Sequence, residues 1–148
     1  MSVEALIHAM LDEADLIDGL LDAVVEQRES IKSGNHTVMQ ELMKRVQDIS
    51  FRVQAKESHR ARLTESVSGE LGCEPYISAL SQVVPEEERA LFIGAGERLG
   101  HSVFALKSEM AILSGLIEHN ERFSAMLLSE WRRLDTEFTH SGGLDFRG

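Results

Sequence analysis

Few side chains in this 148-residue chain are of the types that do chemistry, and their spacing does not assemble a known site. A helical di-iron site needs the Glu-x-x-His motif on each of two helices, and the six scattered histidines do not supply it twice. The single cysteine, Cys73, has no partner at a zinc-site spacing. Its neighbour is Glu74, so no adjacent cation lowers the thiol pKa. We therefore predict no catalytic residues, no metal site and no cofactor.

A glycine-rich stretch, Gly94-Ala95-Gly96 followed by Gly100, is the remaining candidate motif. A dinucleotide-binding fingerprint of this kind directly follows a β-strand. Here the preceding residues predict a helix instead, because Pro85 suits a first helical position and the three glutamates after it complement the helix dipole. We interpret the glycines as a helix-packing or hinge element, where a neighbouring backbone comes close.

The chain is acidic, with a formal net charge of −10 and an isoelectric point near 5.0. Because a nucleic-acid-binding domain needs a basic face, we expect no nucleic-acid partner. Apolar runs are only a few residues long, and the acidic N-terminus has no basic segment followed by an apolar one. We therefore expect neither membrane insertion nor a secretory signal. A lone cysteine fits a reducing compartment, so we predict a cytoplasmic protein.

Helical periodicity accounts for nearly the whole chain, in three long segments at about 2–32, 37–71 and 85–137. Gly34 ends the first segment and Gly72 the second, since glycine suits the left-handed turn that follows many helices. The third segment carries a stripe of residues at alternating steps of four and three, which is typical of a coiled-coil seam. This stripe consists of Phe92, Gly96, Leu99, Val103, Leu106, Met110, Leu113, Ile117, Asn120, Ser124, Leu127, Trp131, Leu134 and Phe138.

Charge favours an antiparallel pairing of the first two helices. Residues 1–33 carry eight acidic and two basic side chains, whereas residues 37–71 carry five acidic and six basic ones. Exposed pairs of this kind contribute well under about 1 kcal/mol each, so they select a neighbour more than they hold the fold together. We expect Glu57 and Arg60, one turn apart, to pair on a solvated face.

These features predict an all-α fold, an elongated antiparallel three-helix coiled-coil bundle with a long C-terminal helix and a short helical connector. It forms a single domain over residues 1–138, and a flexible tail follows at 139–148. At roughly 1.5 Å per residue, the third helix is longer than the other two. We expect its C-terminal part to extend beyond them with its stripe poorly covered. The alternative is that this helix bends at its glycines, or that the chain dimerises, and the stripe is buried.

Two polar residues, Asn120 and Ser124, occupy consecutive positions of the stripe on the third helical segment. Such residues either fix register or partner choice, or lie where a stripe is exposed. In both cases they divide the stripe into a part that ends at Ile117 and a distal part that begins at Leu127.

The pattern as a whole resembles the FlgN-type flagellar export chaperones, small acidic all-helical cytoplasmic proteins. The resemblance covers about residues 5–140 and rests on short motifs. These are the break at Ser33-Gly34-Asn35, the Glu57 to Arg60 element with Leu63, Leu71 and Gly72 beyond it, Glu118-His119-Asn120-Glu121, and Met126-Leu127-Leu128. The family's second asparagine before the paired leucines is replaced here by Phe123 or Ser124.

The resemblance implies a chaperone that holds the hook-associated proteins of the hook–filament junction and delivers them to the flagellar type III secretion apparatus. The family's client-binding region lies toward the C-terminus and takes a helical segment of the client. On this chain the implied client-binding residues are Asn120, Phe123, Leu127, Leu128, Trp131, Leu134 and Phe138. Trp131 is the best single anchor, because large aromatic residues dominate such interfaces.

Other functional classes fit the same helices. A non-catalytic coiled-coil adaptor or oligomerisation module would pair the distal stripe with a second copy, so that the protein is a homodimer. A secretion chaperone with a different client differs from the first interpretation only in the short motifs. An enzyme or metal-binding bundle has the least support, because the histidine and cysteine residues do not have the spacing that such sites need.

Overall fold

The computed structural model describes residues 2–119 and 124–139. Within these ranges the chain is helical and has no β-strand, which confirms the all-α prediction. The helices are α1 (Ser2–Ser33), α2 (His36–Leu71), α3 (Ile77–Val83), α4 (Glu86–Glu118) and α5 (Ser124–Thr139).

The predicted helix ends between the first two segments and after the second are confirmed. Gly34 and Gly72 adopt left-handed backbone conformations, with φ of 71° and 70°. Asn35 caps α2, and its side-chain oxygen accepts a hydrogen bond from the Val38 N–H at 3.1 Å. The chain therefore reverses tightly between α1 and α2, as two antiparallel helices require.

The central element of the bundle is α1, which packs against α2 on one side and α4 on the other. It runs antiparallel to α2, because Glu13 pairs with Arg60 whereas Glu26, further along α1, pairs with Arg45. A helix with two neighbours needs a wide buried face. On α1 this face includes a row spaced by seven residues that is fully buried, namely Leu6, Glu13, Leu20 and Gln27.

The third long helix runs parallel to α1, and the predicted seam is buried along its length. Arg98 of α4 pairs with Asp18 of α1, and further along both helices Glu109 of α4 pairs with Arg28 of α1. The two helices therefore run in the same direction. Every seam residue of α4 from Phe92 to Ile117 is buried. The short connector is also confirmed as α3, which contacts both α2 and α4.

The prediction of one continuous helix over residues 85–137 is wrong. Helix α4 ends at Glu118, α5 begins at Ser124, and α5 packs against α4 instead of extending from it. The division coincides with the two polar stripe positions, 120 and 124, where a continued seam gains little from burial. Packing against α4 lets Trp131 and Leu134 be covered by the bundle. Of the predicted tail, only Thr139 is described, and it ends α5.

Candidate functional site

The residues predicted to bind a client converge on α5. Leu127, Leu128, Trp131, Leu134 and Phe138 all belong to this helix. Asn120 and Phe123 lie outside the described residues, as do the side chains of Leu127 and Phe138. The site's geometry is therefore that of the three remaining residues.

Two of these three side chains are buried, and the third is partly buried. Trp131 and Leu134 are each 1% exposed and belong to the same hydrophobic core as the seam residues of α1 and α4. Leu128 is partly buried and packs against this core. At these positions the expectation of a poorly covered distal stripe is wrong, and the alternative of a buried stripe is correct. The cover comes from the packing of α5 on α4.

One polar atom in this packing lacks a partner. The indole Nε1 of Trp131 is buried and makes no hydrogen bond to the described residues. A buried donor that is left unsatisfied costs about 1–3 kcal/mol relative to its solvated state. The docked position of α5 therefore leaves a donor available to another acceptor, while the apolar contacts of Trp131 hold the helix in place.

The attachment of α5 to the bundle is limited mainly to α4. By contrast, α1 is held on both sides, and polar contacts fasten it to α4. The Arg98 guanidinium lies 2.6 Å from the Asp15 carboxylate and 3.0 Å from that of Asp18, and the Ser102 hydroxyl donates to Asp18 at 2.7 Å. Helix α5 is therefore the long element of the described structure with the fewest neighbours.

A buried ion pair, which the sequence analysis missed, joins α1 to α2. Arg60 Nε donates to Glu13 Oε1 at 2.6 Å, and both side chains are fully buried. Arg60 does pair with Glu57, at 3.2 Å, but on a buried face and not on the solvated face that was expected. Burial raises the pKa of the Glu13 carboxyl above its usual value, and the opposing effect of Arg60 offsets this only in part. The signal was the row with a spacing of seven on α1, in which Glu13 lies between Leu6 and Leu20.

Cys73, the only cysteine of the chain, lies between α2 and α3. Cys73 is partly exposed, and burial together with the nearby Glu74 charge raises its thiol pKa, which disfavours the reactive thiolate. The part of the chain that the structure describes contains no group of three His, Cys, Asp or Glu side chains suited to a metal ion. Over the same part, no helix has the length and apolar character needed to cross a bilayer.

The family model described as FlgN protein matches residues 1–140, which is nearly the whole chain. No curated protein and no solved structure matches the chain.

Proposed function

The chain belongs to the FlgN family of flagellar export chaperones, and on this premise we propose that it binds hook-associated proteins through α5. After binding, it delivers them in the cytoplasm to the flagellar type III secretion apparatus. The family is one of non-enzymatic chaperones that bind flagellar proteins. The observation that carries the finer proposal is the packing of α5, a helix rich in large apolar residues whose main neighbour is α4 alone.

In this proposal a client helix gains access to α5 by exchange. Trp131 and Leu134 are covered in the free chaperone, so a client uses them only when α5 separates from α4. Helix α5 has 16 residues, and isolated helices of this length are only marginally helical in water. It therefore stays folded by packing either on α4 or on a client helix whose apolar stripe replaces that contact.

The unpaired indole N–H supports this exchange. A client that offers a carbonyl or side-chain oxygen to Trp131 Nε1 satisfies a buried donor that has no hydrogen-bond partner among the residues described in the free chaperone. Part of the free energy needed to separate α5 from α4 is then recovered in the complex. The covered state meanwhile protects the apolar residues of α5 from non-specific association when no client is present.

Calorimetric titration with the hook-associated proteins of the same organism tests the proposal. The variant Leu127→Ala with Trp131→Ala removes two predicted contacts, and Phe51→Ala removes an exposed aromatic side chain of α2 as a matched control. We expect the double variant to bind at least about 30-fold more weakly, on the scale of interface anchors. The control is expected to bind as the unchanged chain does.

Three results would contradict the proposal. Undiminished binding by the double variant, or an equal loss in Phe51→Ala, would place the client elsewhere on the molecule. The third is no binding together with a stable dimer in light scattering, which would favour the adaptor or oligomerisation module. Binding of another secreted protein in place of the hook-associated ones would keep the chaperone function and change the client.

A further inference from the structure

An open groove of about 670 Å³ lies between α1 and α4, and its lining comes from these two helices and Arg45 of α2. We propose that this groove binds an amphipathic helix of a partner protein that carries lysine or arginine residues beside its apolar stripe. The groove is separate from the α5 residues assigned to the client, so this inference does not depend on the proposed function.

The floor and one wall of the groove are apolar. Leu21 and Val25 of α1 are half-buried in it, and Phe104 of α4 forms its wall with 73% of its surface exposed. Ala111 and Ile112, about two turns further along α4, are also exposed, although polar residues such as Ser108 lie between them and Phe104. Single exposed apolar residues are ordinary, but an exposed phenylalanine beside half-buried apolar residues, in a groove between two parallel helices, forms a surface on which a third helix can pack.

Three carboxylates line the groove, those of Asp22, Glu26 and Glu109. Glu26 and Glu109 are matched by Arg45 at 2.9 Å and Arg28 at 3.1 Å. Asp22 is exposed and has no ion-pair partner among the residues that the structure describes. It projects from α1, the helix with eight acidic and two basic side chains in residues 1–33.

This charge selects the occupant. A basic residue beside the apolar stripe of an incoming helix would pair with Asp22 at the groove edge. A second copy of this chain, which also has a net charge of −10, meets like charge at the same edge, and like-charge contacts oppose association.

A second groove lacks this combination of exposed apolar surface and excess negative charge. It lies between α1 and α2, has a similar volume of about 620 Å³, and is lined by Asp12, Asp15, Leu16, Arg52, Ala55, Lys56 and His59. Basic and acidic side chains balance there, and no large exposed apolar side chain belongs to the lining. The α1–α4 groove is the better site for an amphipathic helix with basic flanks.

The probe for the experiment is a fluorescently labelled 18-residue peptide of leucine and lysine arranged with helical periodicity. A scrambled peptide of the same composition lacks the apolar stripe. Binding of the peptide is measured by fluorescence anisotropy at physiological salt, with the unchanged full chain and with its variants Phe104→Ser and Asp22→Lys. The matched controls are Phe51→Ser, which removes another exposed phenylalanine, and Glu65→Lys, which reverses another exposed carboxylate.

Phe104→Ser is expected to weaken binding by about tenfold or more, because Phe104 is a central apolar contact. Asp22→Lys is expected to weaken binding by about threefold to tenfold, because it reverses a charge at the edge of the groove. The two controls and the unchanged chain are expected to bind alike, and the scrambled peptide more weakly. The emission of Trp131, the only tryptophan of the chain, is expected to stay constant because α5 remains docked.

Several outcomes would overturn it. Equal binding of the scrambled peptide, or equal losses in the controls, would mean that charge alone attracts the probe. A shift in Trp131 emission would place the peptide against α5 and not in the groove. A dimer of the unliganded chain that Phe104→Ser dissociates in analytical ultracentrifugation would make a second copy the occupant.

Discussion

Arg60 Nε lies 2.6 Å from Glu13 Oε1 in the interior of the bundle, with no solvent reaching either side chain. The pair joins the middle of α1 to the C-terminal half of α2. Glu13 and Arg60 both occupy core positions, so a shift of either helix by one turn would separate the charges inside an apolar environment. We infer that the pair fixes the register of the α1–α2 hairpin, a role for which buried polar groups are best attested.

Replacement of Arg60 by methionine is expected to destabilise the fold by about 3–5 kcal/mol, because it leaves the Glu13 carboxylate buried without its partner. Urea unfolding followed by circular dichroism measures the loss. The double variant Glu13→Leu with Arg60→Met removes both charges and is expected to recover most of it. A loss under about 1 kcal/mol in Arg60→Met, as for a surface pair, would show that the two side chains are solvated.

The stability of the protein should also depend on pH through Glu13. Because its native pKa is raised above the usual 4.5, there is a pH window between 4.5 and the native pKa. In this window the folded chain keeps the Glu13 proton, whereas the unfolded chain has already released it. The contribution of Glu13 to the free energy of unfolding is therefore complete below about pH 4.5 and is lost as pH rises through the native pKa. The measurement is unfolding of the unchanged chain and of Glu13→Gln at a series of pH values.

The difference between these two proteins isolates Glu13, since the remaining acidic groups contribute to both. We expect the stability of the unchanged chain relative to Glu13→Gln to fall across the window and to be constant above it. A rise across the same window would mean that Arg60 outweighs burial and that the native pKa is lowered.

Much of the fold followed from heptad spacing, because burial on both α1 and α4 recurs every three or four residues. The spacing marked a division of the stripe at Asn120 and Ser124, but it predicted one continuous helix and not a separate α5 that packs on α4. This packing depends on whether the bundle offers cover for Trp131 and Leu134, which is a tertiary property. The burial of Arg60 was missed for a related reason, since its partner Glu13 is 47 residues away and local spacing offered only Glu57.

Two glycines near the start of α4 should respond differently to alanine. A Cβ at Gly94 would meet nothing within 4 Å, whereas a Cβ at Gly96 would lie 3.1 Å from Cγ2 of Ile77 in α3. Gly94→Ala is expected to stabilise the protein by about 0.5–1 kcal/mol through helix propensity alone. Gly96→Ala is expected to gain less or to destabilise, because Ile77 must move. Thermal unfolding compares them, and equal gains would show that α3 yields without cost.

The fully buried Gln27 offers a stabilising substitution. Neither its amide nitrogen nor its amide oxygen has a hydrogen-bond partner among the described residues. Gln27→Met keeps the length of the side chain and removes two unsatisfied polar groups, so we expect a gain of about 1–3 kcal/mol in urea unfolding. Gln40→Met, at an exposed position of α2, serves as the control and should change stability by less than about 0.5 kcal/mol. A loss in Gln27→Met would show that the amide makes a hydrogen bond of greater value than its desolvation costs.

The docking of α5 should depend on Trp131 more than on any other described side chain of that helix. Truncation of a buried tryptophan to alanine costs about 3–5 kcal/mol, and α5 has little contact with elements other than α4 to offset such a loss. We expect Trp131→Ala to release α5 while the α1, α2 and α4 bundle stays folded. In hydrogen exchange, the amides of Ser124–Thr139 would lose protection and those of the α1–α2 hairpin would keep it. Phe51→Ala is the control and should alter neither region. A loss of protection throughout the molecule in Trp131→Ala would show that the bundle needs α5 in order to stay folded.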